Sequence, residues 1–166
     1  MASMSQEKPK TIDVIIETPR GCRNKYAYDK KLQAFRLKKI LPEGAVFPFD
    51  FGFIPRTKGG DGDPLDVLVI MDEPAYPGCV VECTIIGALK AEQSTEKGMV
   101  RNDRLIAIPA GSHMYKDMEA IENLNKNILS EIEQFFVSYN KQEGKEFKPQ
   151  GWANNEEAMK LIQKAS

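Results

Sequence analysis

Two apolar segments in the middle of the chain limit its fold more than any other feature. Leu65–Met71 and Cys79–Ile86 are both rich in β-branched residues and predict strands. The stretch between them is short and contains Pro74, Pro77 and Gly78, which favour a turn. Because neighbouring parallel strands need a long crossover, usually a helix, this spacing argues against a parallel βαβ fold.

The rest of the chain divides into a strand-rich part and a helical part. Further strands are predicted at Thr11–Glu17, Tyr26–Asp29, Ala34–Leu37 and Leu105–Ile108. The last third has apolar residues at helical spacing, which predicts an amphipathic helix over Asn127–Lys141. Asn154 is the predicted N-cap of a terminal helix whose apolar face consists of Ala158, Leu161 and Ile162.

This order of elements predicts a mainly β, α+β fold, in which a small β-barrel has α-helices packed outside it. A length of 166 residues and a mass of 18.7 kDa fit one domain over residues 1–166. Met1–Lys10 is polar, so we expect it to be flexible and not a signal peptide. No segment approaches the roughly 18 consecutive apolar residues of a membrane span, so we expect no membrane partner.

Composition argues against several functional classes. The 23 Lys and Arg residues balance 24 Asp and Glu residues, and a net charge of −1 argues against nucleic-acid binding through bulk positive charge. The single histidine, His113, excludes zinc motifs built on several histidines and disfavours a Ser-His-Asp site. The odd number of cysteines, three, predicts reduced thiols and a cytoplasmic protein.

The segment Gly59–Asp66, here called the acidic loop, carries the strongest chemical signal. The carboxylates of Asp61, Asp63 and Asp66 lie within six residues, immediately before the apolar run Val67–Ile70. Like charges this close repel one another unless cations lie among them or one group is protonated. Mg²⁺ prefers oxygen ligands and keeps several waters, so the acidic loop predicts a magnesium site.

Three other interpretations of the acidic loop fit less well. A solvated turn is the ordinary role of Asp and Gly, but this loop leads directly into a predicted buried strand. An EF-hand beginning at Asp61 needs an oxygen ligand at its fifth position and Glu at its twelfth, where the sequence has Leu65 and Asp72. An Asp-x-Asp phosphatase or sugar-transferase motif follows its apolar strand, whereas here the strand comes afterwards.

The run Asp61–Val67, DGDPLDV, resembles the hallmark of the family I soluble inorganic pyrophosphatases. The resemblance extends over about Ile12 to Ile162, with shorter matches in the same order at Ile16–Pro19, Lys25–Tyr26, Phe47–Pro48, Phe51–Ile54, Pro77–Gly78, Gly87–Lys90, Arg104–Pro109, Phe135–Phe136 with Tyr139, and Gly151–Trp152. It implies a closed five-stranded OB-like barrel with flanking helices and hydrolysis of inorganic diphosphate to two orthophosphates. It also implies several Mg²⁺ ions per active site, with other divalent ions as alternatives, and a cytoplasmic homohexamer.

The residues suit that reaction independently of the resemblance. Closely spaced metal ions lower the pKa of a water and take up charge on the leaving phosphate, while Lys and Arg hold the outer oxygens. The resemblance implies that Asp61 and Asp66 bind metal, that Asp63 is the catalytic base and that Glu17 lies in the outer shell. The substrate-binding positions that it implies are Lys25, Lys39, Arg104 and Tyr139.

Several positions depart from the family pattern. Ala27 stands where an acidic residue is usual, and Lys39 replaces an arginine and loses its bidentate geometry. Phe47 and Phe51 replace tyrosines and lose the hydroxyl groups, and Asn140 replaces a lysine. Such changes around one pocket predict a slower enzyme, a different metal stoichiometry or a rebuilt site.

A later acidic pair of the family is also altered. Its first member is either Glu92 or absent, with Gln93 beside it. The second aligns with Asn102 by its spacing to Arg104, whereas the neighbouring Asp103 is chemically the better Mg²⁺ ligand. Asn102 and Asp103 therefore both stay candidates for metal binding.

These departures leave a second functional hypothesis open, a divergent slow or non-catalytic barrel that binds Mg-diphosphate or another phosphate ligand. An oligonucleotide-binding barrel is a weaker hypothesis, because the net charge is near zero and Trp152 is the only tryptophan for base stacking. We expect diphosphate as the partner and no nucleic acid.

Overall fold

The structure, a computed structural model, describes residues 8–166 as nine strands, two α-helices and a 3-10 turn at Ile121–Asn123. The first seven residues of the segment predicted to be flexible lie outside this range. The elements are β1 Thr11–Thr18, β2 Asn24–Asp29, β3 Ala34–Ile40, β4 Asp50–Phe53, β5 Asp66–Val69, β6 Val80–Thr95, β7 Gly98–Arg101, β8 Arg104–Pro109, α1 Lys126–Gln142, β9 Phe147–Asn154 and α2 Asn155–Ala165.

The predicted strands and helices are all present, with different ends. The strand predicted at Leu65–Met71 is shorter, Asp66–Val69, and the one predicted at Cys79–Ile86 continues to Thr95. Strands β4, β7 and β9 were not predicted, because they are short or contain Gly, Pro or charged residues. Asn154 caps α2 as expected, since its side-chain oxygen accepts a hydrogen bond from the Glu157 N–H.

Five strands pair in a ring. Strand β1 pairs with β4, β4 with β5, β5 with β8, β8 with β6, and β6 returns to β1. All of these pairs are antiparallel except β5–β8, which is parallel. The chain passes from β5 to β8 through strands β6 and β7, so this parallel pair needs no helical crossover.

The long strand β6 joins the ring to the rest of the sheet. Its first part pairs with β1 and β8, and its second part pairs with β9 and β7. Its pairing register with β8 shifts between Ile85 and Gly87. At Gly87 a Cβ atom would lie 2.7 Å from Ala153 O and 2.8 Å from Ile121 Cβ. Glycine therefore permits the close approach of β9 and the 3-10 turn to β6.

Both faces of the central strands are buried. In β5, Val67 and Val69 belong to the apolar cluster that contains Ile162 of α2. Leu68, between them, belongs to the cluster that contains Phe136 of α1. Because side chains alternate across a strand, this two-sided burial explains why the β5 sequence is continuously apolar.

The same topology brings the acidic loop next to basic groups. Asp66 begins β5 and Arg104 begins β8, and the two residues are direct partners in the parallel register. Lys25 and Lys39 are partners in the separate β2–β3 hairpin, which contacts β1. Among the described helices, none is long and apolar enough to cross a bilayer.

We expect Gly87→Ala to lower the free energy of unfolding by about 1–3 kcal/mol, the usual cost of overpacking a filled core. The added methyl group would meet the Ala153 carbonyl and Ile121 at contact distances too short to keep. Urea unfolding followed by circular dichroism measures the change.

Gly111→Ala is the matched control, because a Cβ there meets nothing within 4 Å. Equal stabilities of the two variants would contradict the close approach at Gly87.

Candidate active site

The acidic loop is held by hydrogen bonds between its own residues. Asp61 Oδ1 accepts a hydrogen bond from the Asp63 N–H at 3.0 Å, and the Gly59 N–H donates to Asp63 O at 2.7 Å. Gly62 has a φ of +87°, a left-handed conformation that glycine adopts without strain. The tight turn places the Asp61 and Asp63 side chains beside Asp66 at the start of β5.

The acidic loop borders a cavity of about 410 Å³, and most of the predicted site residues line this cavity. Those that line it are Glu17, Lys25, Asp61, Asp63, Asp66, Asn102, Arg104 and Tyr139. Its acidic and basic side chains are equal in number: Glu17, Asp61, Asp63, Asp66 and Glu143 against Lys25, Lys30, Lys38, Arg104 and Lys145. The cavity thus offers oxygen ligands for cations and cationic groups for an anion.

Two predicted site residues do not line this cavity. Asp103 lines a second cavity of about 180 Å³, and its carboxylate accepts hydrogen bonds from the Ala91 N–H at 3.0 Å and from Arg101 Nε at 2.7 Å. Lys39 lies at the edge, where its Nζ is 2.9 Å from Glu143 Oε1. Asn102 lines both cavities, whereas Asp103 lines only the second one, which Asp61 also borders.

Asp66 and Arg104 form the central ion pair of the cavity. Arg104 Nη1 lies 2.8 Å from Asp66 Oδ2, and only 7% of the Arg104 side chain and 24% of the Asp66 side chain are exposed. Burial raises the pKa of Asp66, and the charges of Asp61 and Asp63 raise it further, while Arg104 opposes the shift. The Arg104 guanidinium therefore stabilises the ionised form of Asp66, which burial and the neighbouring carboxylates disfavour.

Neutral amides complete this wall of the cavity. Arg104 Nη1 also donates to Asn102 Oδ1, and Arg104 Nη2 lies 3.4 Å from Gln93 Oε1. The Asn102 Nδ2 group donates to the same Gln93 oxygen at 2.8 Å. Gln93, and not Glu92, lines the cavity. Two amides, Gln93 and Asn102, therefore lie beside Arg104 on this wall.

A second polar network lies between the hairpin and α1. Lys25 Nζ donates to the Tyr139 hydroxyl oxygen at 2.7 Å, and Lys39 Nζ donates to Glu143. Both ammonium groups lie about 5 Å from the centre of the Tyr139 ring, at 5.1 and 5.0 Å. Helix α1 and the β2–β3 hairpin therefore position one cationic cluster together.

The ionisable groups of this network are shifted by burial and by one another. Burial lowers the pKa of Lys25 and raises the pKa of Tyr139. Burial alone would raise the pKa of Glu143, but Lys39, Lys25 and Lys145 outweigh it and lower that pKa. Glu143 therefore stays ionised and holds the lysines, while Tyr139 stays protonated and can donate a hydrogen bond.

Sequence reasoning missed Glu143 and Lys145 as cavity residues. Glu143 follows Tyr139 by four positions at the end of α1, so helical periodicity could have placed both on one face. No comparable signal was available for Lys145, which follows the helix. Asn140 lines the cavity but is buried, and its amide donates to Phe136 O at 2.8 Å.

Two residues that depart from the family pattern form an apolar wall. The rings of Phe47 and Phe51 lie 5.7 Å apart, and Phe47 packs 5.9 Å from the Tyr139 ring. Both phenylalanines are at least nine-tenths buried, with 1% and 9% of their surfaces exposed. Phe47 therefore packs directly against Tyr139, and neither phenylalanine contributes a polar group.

The donor set of the cavity suits a hard divalent cation. Within residues 8–166 no three His, Cys, Asp or Glu side chains already form a compact metal-binding group. The carboxylates of Asp61, Asp63 and Asp66 and the amide oxygen of Asn102 nevertheless line one cavity. Such oxygen ligands are the kind that a hard divalent cation takes, with water completing its coordination.

Comparison with known proteins gives a consistent result. A sequence model of the family described as inorganic pyrophosphatase matches residues 14–166. The chain is 37% identical to an inorganic pyrophosphatase of Synechocystis sp., over 96% of this chain and 92% of that protein. It is 39% identical to one of Halalkalibacterium halodurans, over 93% of each chain. The crystal structure of inorganic pyrophosphatase from Thermus thermophilus superposes with a TM-score of 0.86 at 33% identity, over 99% of this chain and 94% of that chain.

We expect Glu17→Gln to raise the thermal stability of the metal-free protein at pH 7. Burial raises the pKa of Glu17, and Asp66 adds to this rise, although the Tyr28 N–H and Lys25 oppose it. The folded protein binds the Glu17 proton more tightly than the unfolded chain does. The free energy of unfolding that this proton contributes is therefore present at low pH and is lost as the pH rises through the folded-state pKa of Glu17. Melting curves in EDTA between pH 4 and 8 should show a gain for the variant that grows with pH.

Glu43→Gln is the control, because Glu43 is an exposed partner of Arg23. A Glu17→Gln protein that melts below the wild type at pH 7, or a gain that is constant with pH, would contradict the predicted charge burial.

Proposed function

Because the chain belongs to the inorganic pyrophosphatase family, whose members hydrolyse diphosphate to two orthophosphates, we propose that the acidic loop binds Mg²⁺ for this reaction. The observation that carries the proposal is that Asp61, Asp63 and Asp66 share one cavity with Lys25 and Arg104. Diphosphate is small and strongly anionic, so its hydrolysis needs cations on its oxygens and a base for the attacking water. This cavity provides residues for each role.

Asp61 and Asp66 are the proposed metal ligands, with Asn102 as a further oxygen donor. When bound, the Mg²⁺ ions lower the pKa of a coordinated water and neutralise charge on the diphosphate oxygens. Asp103 is a weaker candidate than Asn102, because Asn102 lines the main cavity and Asp103 does not. Other divalent ions with the same preference for oxygen are alternatives.

Asp63 is the proposed general base. Its backbone is fixed by the hydrogen bond to Asp61, while its side chain lines the cavity. A carboxylate in this position accepts a proton from the water that attacks phosphorus. Glu17, whose carboxylate accepts a hydrogen bond from the Tyr28 N–H at 2.8 Å, contributes negative charge from the outer shell.

Lys25, Lys39, Arg104 and Tyr139 are the proposed substrate-binding residues. Tyr139 accepts a hydrogen bond from Lys25, and because burial keeps its hydroxyl protonated, its O–H can donate to a phosphate oxygen. Lys39 is held at the cavity edge by Glu143, and Lys38 and Lys145 add positive charge to the lining. Cationic groups placed on two sides hold the phosphoryl oxygens and compensate charge as the bridging bond breaks.

We expect Asp63→Asn to lower kcat for diphosphate hydrolysis by about 10²–10⁴, the range for loss of a general base. Asp66→Asn should also lower the rate, because it removes a metal ligand. Phosphate release with Mg²⁺, and its loss in EDTA, provides the measurement. Asp13→Asn is the control, since Asp13 is exposed on β1 opposite Glu82.

A wild-type rate no higher than that of Asp63→Asn would contradict the proposed mechanism. If Mg-diphosphate then raised the melting temperature without phosphate release, the result would support the binding-only alternative.

The finer features of the fold and assembly are also proposals. The β1–β6 pairing supports closure of the five-strand ring into an OB-like barrel. Cys22, Cys79 and Cys83 are all free thiols, which supports a reducing, cytoplasmic environment. Exposed apolar side chains, including Tyr76 at 82% and Val80 at 59%, support self-association as a homohexamer.

For the homohexamer we expect light scattering coupled to size-exclusion chromatography to give about six times the 18.7 kDa chain mass. The measurement needs a dilution series, because a weak assembly would dissociate at low concentration. A mass of one chain at every concentration would contradict the proposal.

A further inference from the structure

A side-chain hydroxyl takes part in the strand ladder next to the acidic loop. The register of β4 with β5 ends at Phe53 and Asp66, so Ile54 and Leu65 are the next facing pair. The Ile54 N–H donates to Leu65 O at 3.0 Å, as in a hydrogen-bonded pair of antiparallel strands. In place of the reciprocal bond, the Thr57 hydroxyl accepts from the Leu65 N–H at 3.0 Å and donates to Ile54 O at 2.7 Å. Thr57 thus joins the chain that enters the acidic loop to the chain that leaves it.

The turn that presents this hydroxyl has a strained backbone. Arg56 has a φ of +62°, in the left-handed region that disfavours residues with a side chain. Such a conformation persists only where surrounding contacts fix the backbone. The two hydrogen bonds of Thr57, the next residue, provide such contacts, because they tie the turn to the ends of both strands.

Little packing supports the acidic loop on the side that faces α2. The second cavity, of about 180 Å³, is lined there by the loop and by the C-terminal end of α2. The Lys58 N–H donates to Ala165 O in α2 at 2.8 Å. At Gly60 the backbone passes so close to Arg101 that a Cβ atom would lie 2.8 Å from Arg101 O. The position of the loop therefore depends on a few hydrogen bonds and one close backbone approach, and not on a filled core.

The Thr57 hydroxyl acts next to a proposed metal ligand. Leu65 immediately precedes Asp66, and Thr57 and Ile54 together hold both backbone groups of Leu65. Without the hydroxyl, the Leu65 N–H would lose its partner and the two ends of the loop would be free to separate. Carboxylates bind a cation more weakly when their arrangement must first be restored, because binding then includes the cost of ordering them.

We propose that Thr57 is a positioning residue of the metal site, whose hydroxyl sets the place of Asp66 relative to Asp61 and Asp63. Both hydrogen bonds of the hydroxyl go to backbone groups, so Thr57 acts through the loop and is not itself a ligand. This inference rests on the proposed function, since it assumes that the three carboxylates bind divalent ions.

The test compares Thr57→Val, which removes the hydroxyl and keeps the shape of the side chain, with Thr57→Ser, which keeps the hydroxyl. The electron paramagnetic resonance signal of free Mn²⁺, followed in a titration without substrate, gives the dissociation constant. We expect Thr57→Val to bind Mn²⁺ about tenfold more weakly than the wild type, and Thr57→Ser to stay within about twofold, since only the first loses a hydrogen bond and leaves an N–H unpaired. The Mg²⁺ concentration for half-maximal phosphate release should rise by the same factor in Thr57→Val, and saturating Mg²⁺ should restore kcat.

Thr95→Val is the matched control. The Thr95 hydroxyl also joins two backbone groups, because it donates to Gly98 O at 2.7 Å and accepts from the Lys97 N–H at 3.2 Å, but Thr95 lines neither cavity. Thr95→Val should therefore keep the wild-type Mn²⁺ affinity, even if its melting temperature falls. Wild-type affinity in Thr57→Val, equal losses in Thr57→Val and Thr57→Ser, or an equal loss in Thr95→Val would overturn the proposal.

A measurement on the wild type keeps the proposal testable if Thr57→Val does not fold. Residue-resolved hydrogen exchange in EDTA should show the Leu65 N–H as well protected as the Ile54 N–H, which belongs to the same facing pair. An unprotected Leu65 N–H beside a protected Ile54 N–H would show that the hydroxyl does not hold the loop, and the proposal would be wrong.

Failure of the proposed function gives a different result. A wild type that binds no Mn²⁺, or binding that survives Asp61→Asn combined with Asp63→Asn, would contradict the acidic loop as the metal site. A wild type that binds Mn²⁺ through these carboxylates, with Thr57→Val equal to it, would contradict the role of Thr57 alone.

Discussion

The ion pair between Asp66 and Arg104 is the contact on which the cavity depends. Parallel pairing of β5 with β8 makes the two residues direct partners in the strand register. Because both side chains are largely buried, each charge needs the other as its counter-charge. The acidic loop ends at Asp66, so the pair also fixes the point at which the loop joins the sheet. If one partner were removed, the other would be left as a buried unpaired charge, which costs several kcal/mol. The site and the sheet are therefore stabilised by one interaction.

The lysines of the cavity come from a different part of the fold. Lys25 and Lys39 come from a two-stranded hairpin, which is marginal alone, and they meet Tyr139 and Glu143 only because α1 packs nearby. The acidic region is the acidic loop, which supplies three of the five carboxylates of the cavity, and the basic region is the hairpin, which supplies three of its four lysines. A small polyanion with bound cations needs both regions, which explains why acidic and basic side chains line the cavity in equal numbers.

The residues that the resemblance marks as departures from the family pattern fall into two groups, each held by contacts around the cavity. Asn102 and Gln93 bond to each other and lie beside Arg104, so the amides and the guanidinium form one hydrogen-bonded network. Phe47 and Phe51 pack in a set of aromatic rings with Tyr139 and Phe136, where a hydroxyl would need a buried partner. The whole chain keeps the fold of solved inorganic pyrophosphatases at 30–33% identity, with a TM-score of 0.86 for each.

The sequence by itself determined the strands with continuous apolar runs, the two amphipathic helices, the Asn154 cap and the chemical character of the acidic loop. These follow from local periodicity and from residue types, which act over a few positions. Tertiary structure alone decided that β5 pairs with β8, that Asn102 rather than Asp103 reaches the main cavity, and that Glu143 holds Lys39. Each of these joins residues far apart in the chain, where strand register and packing, and not spacing in the sequence, set the distance.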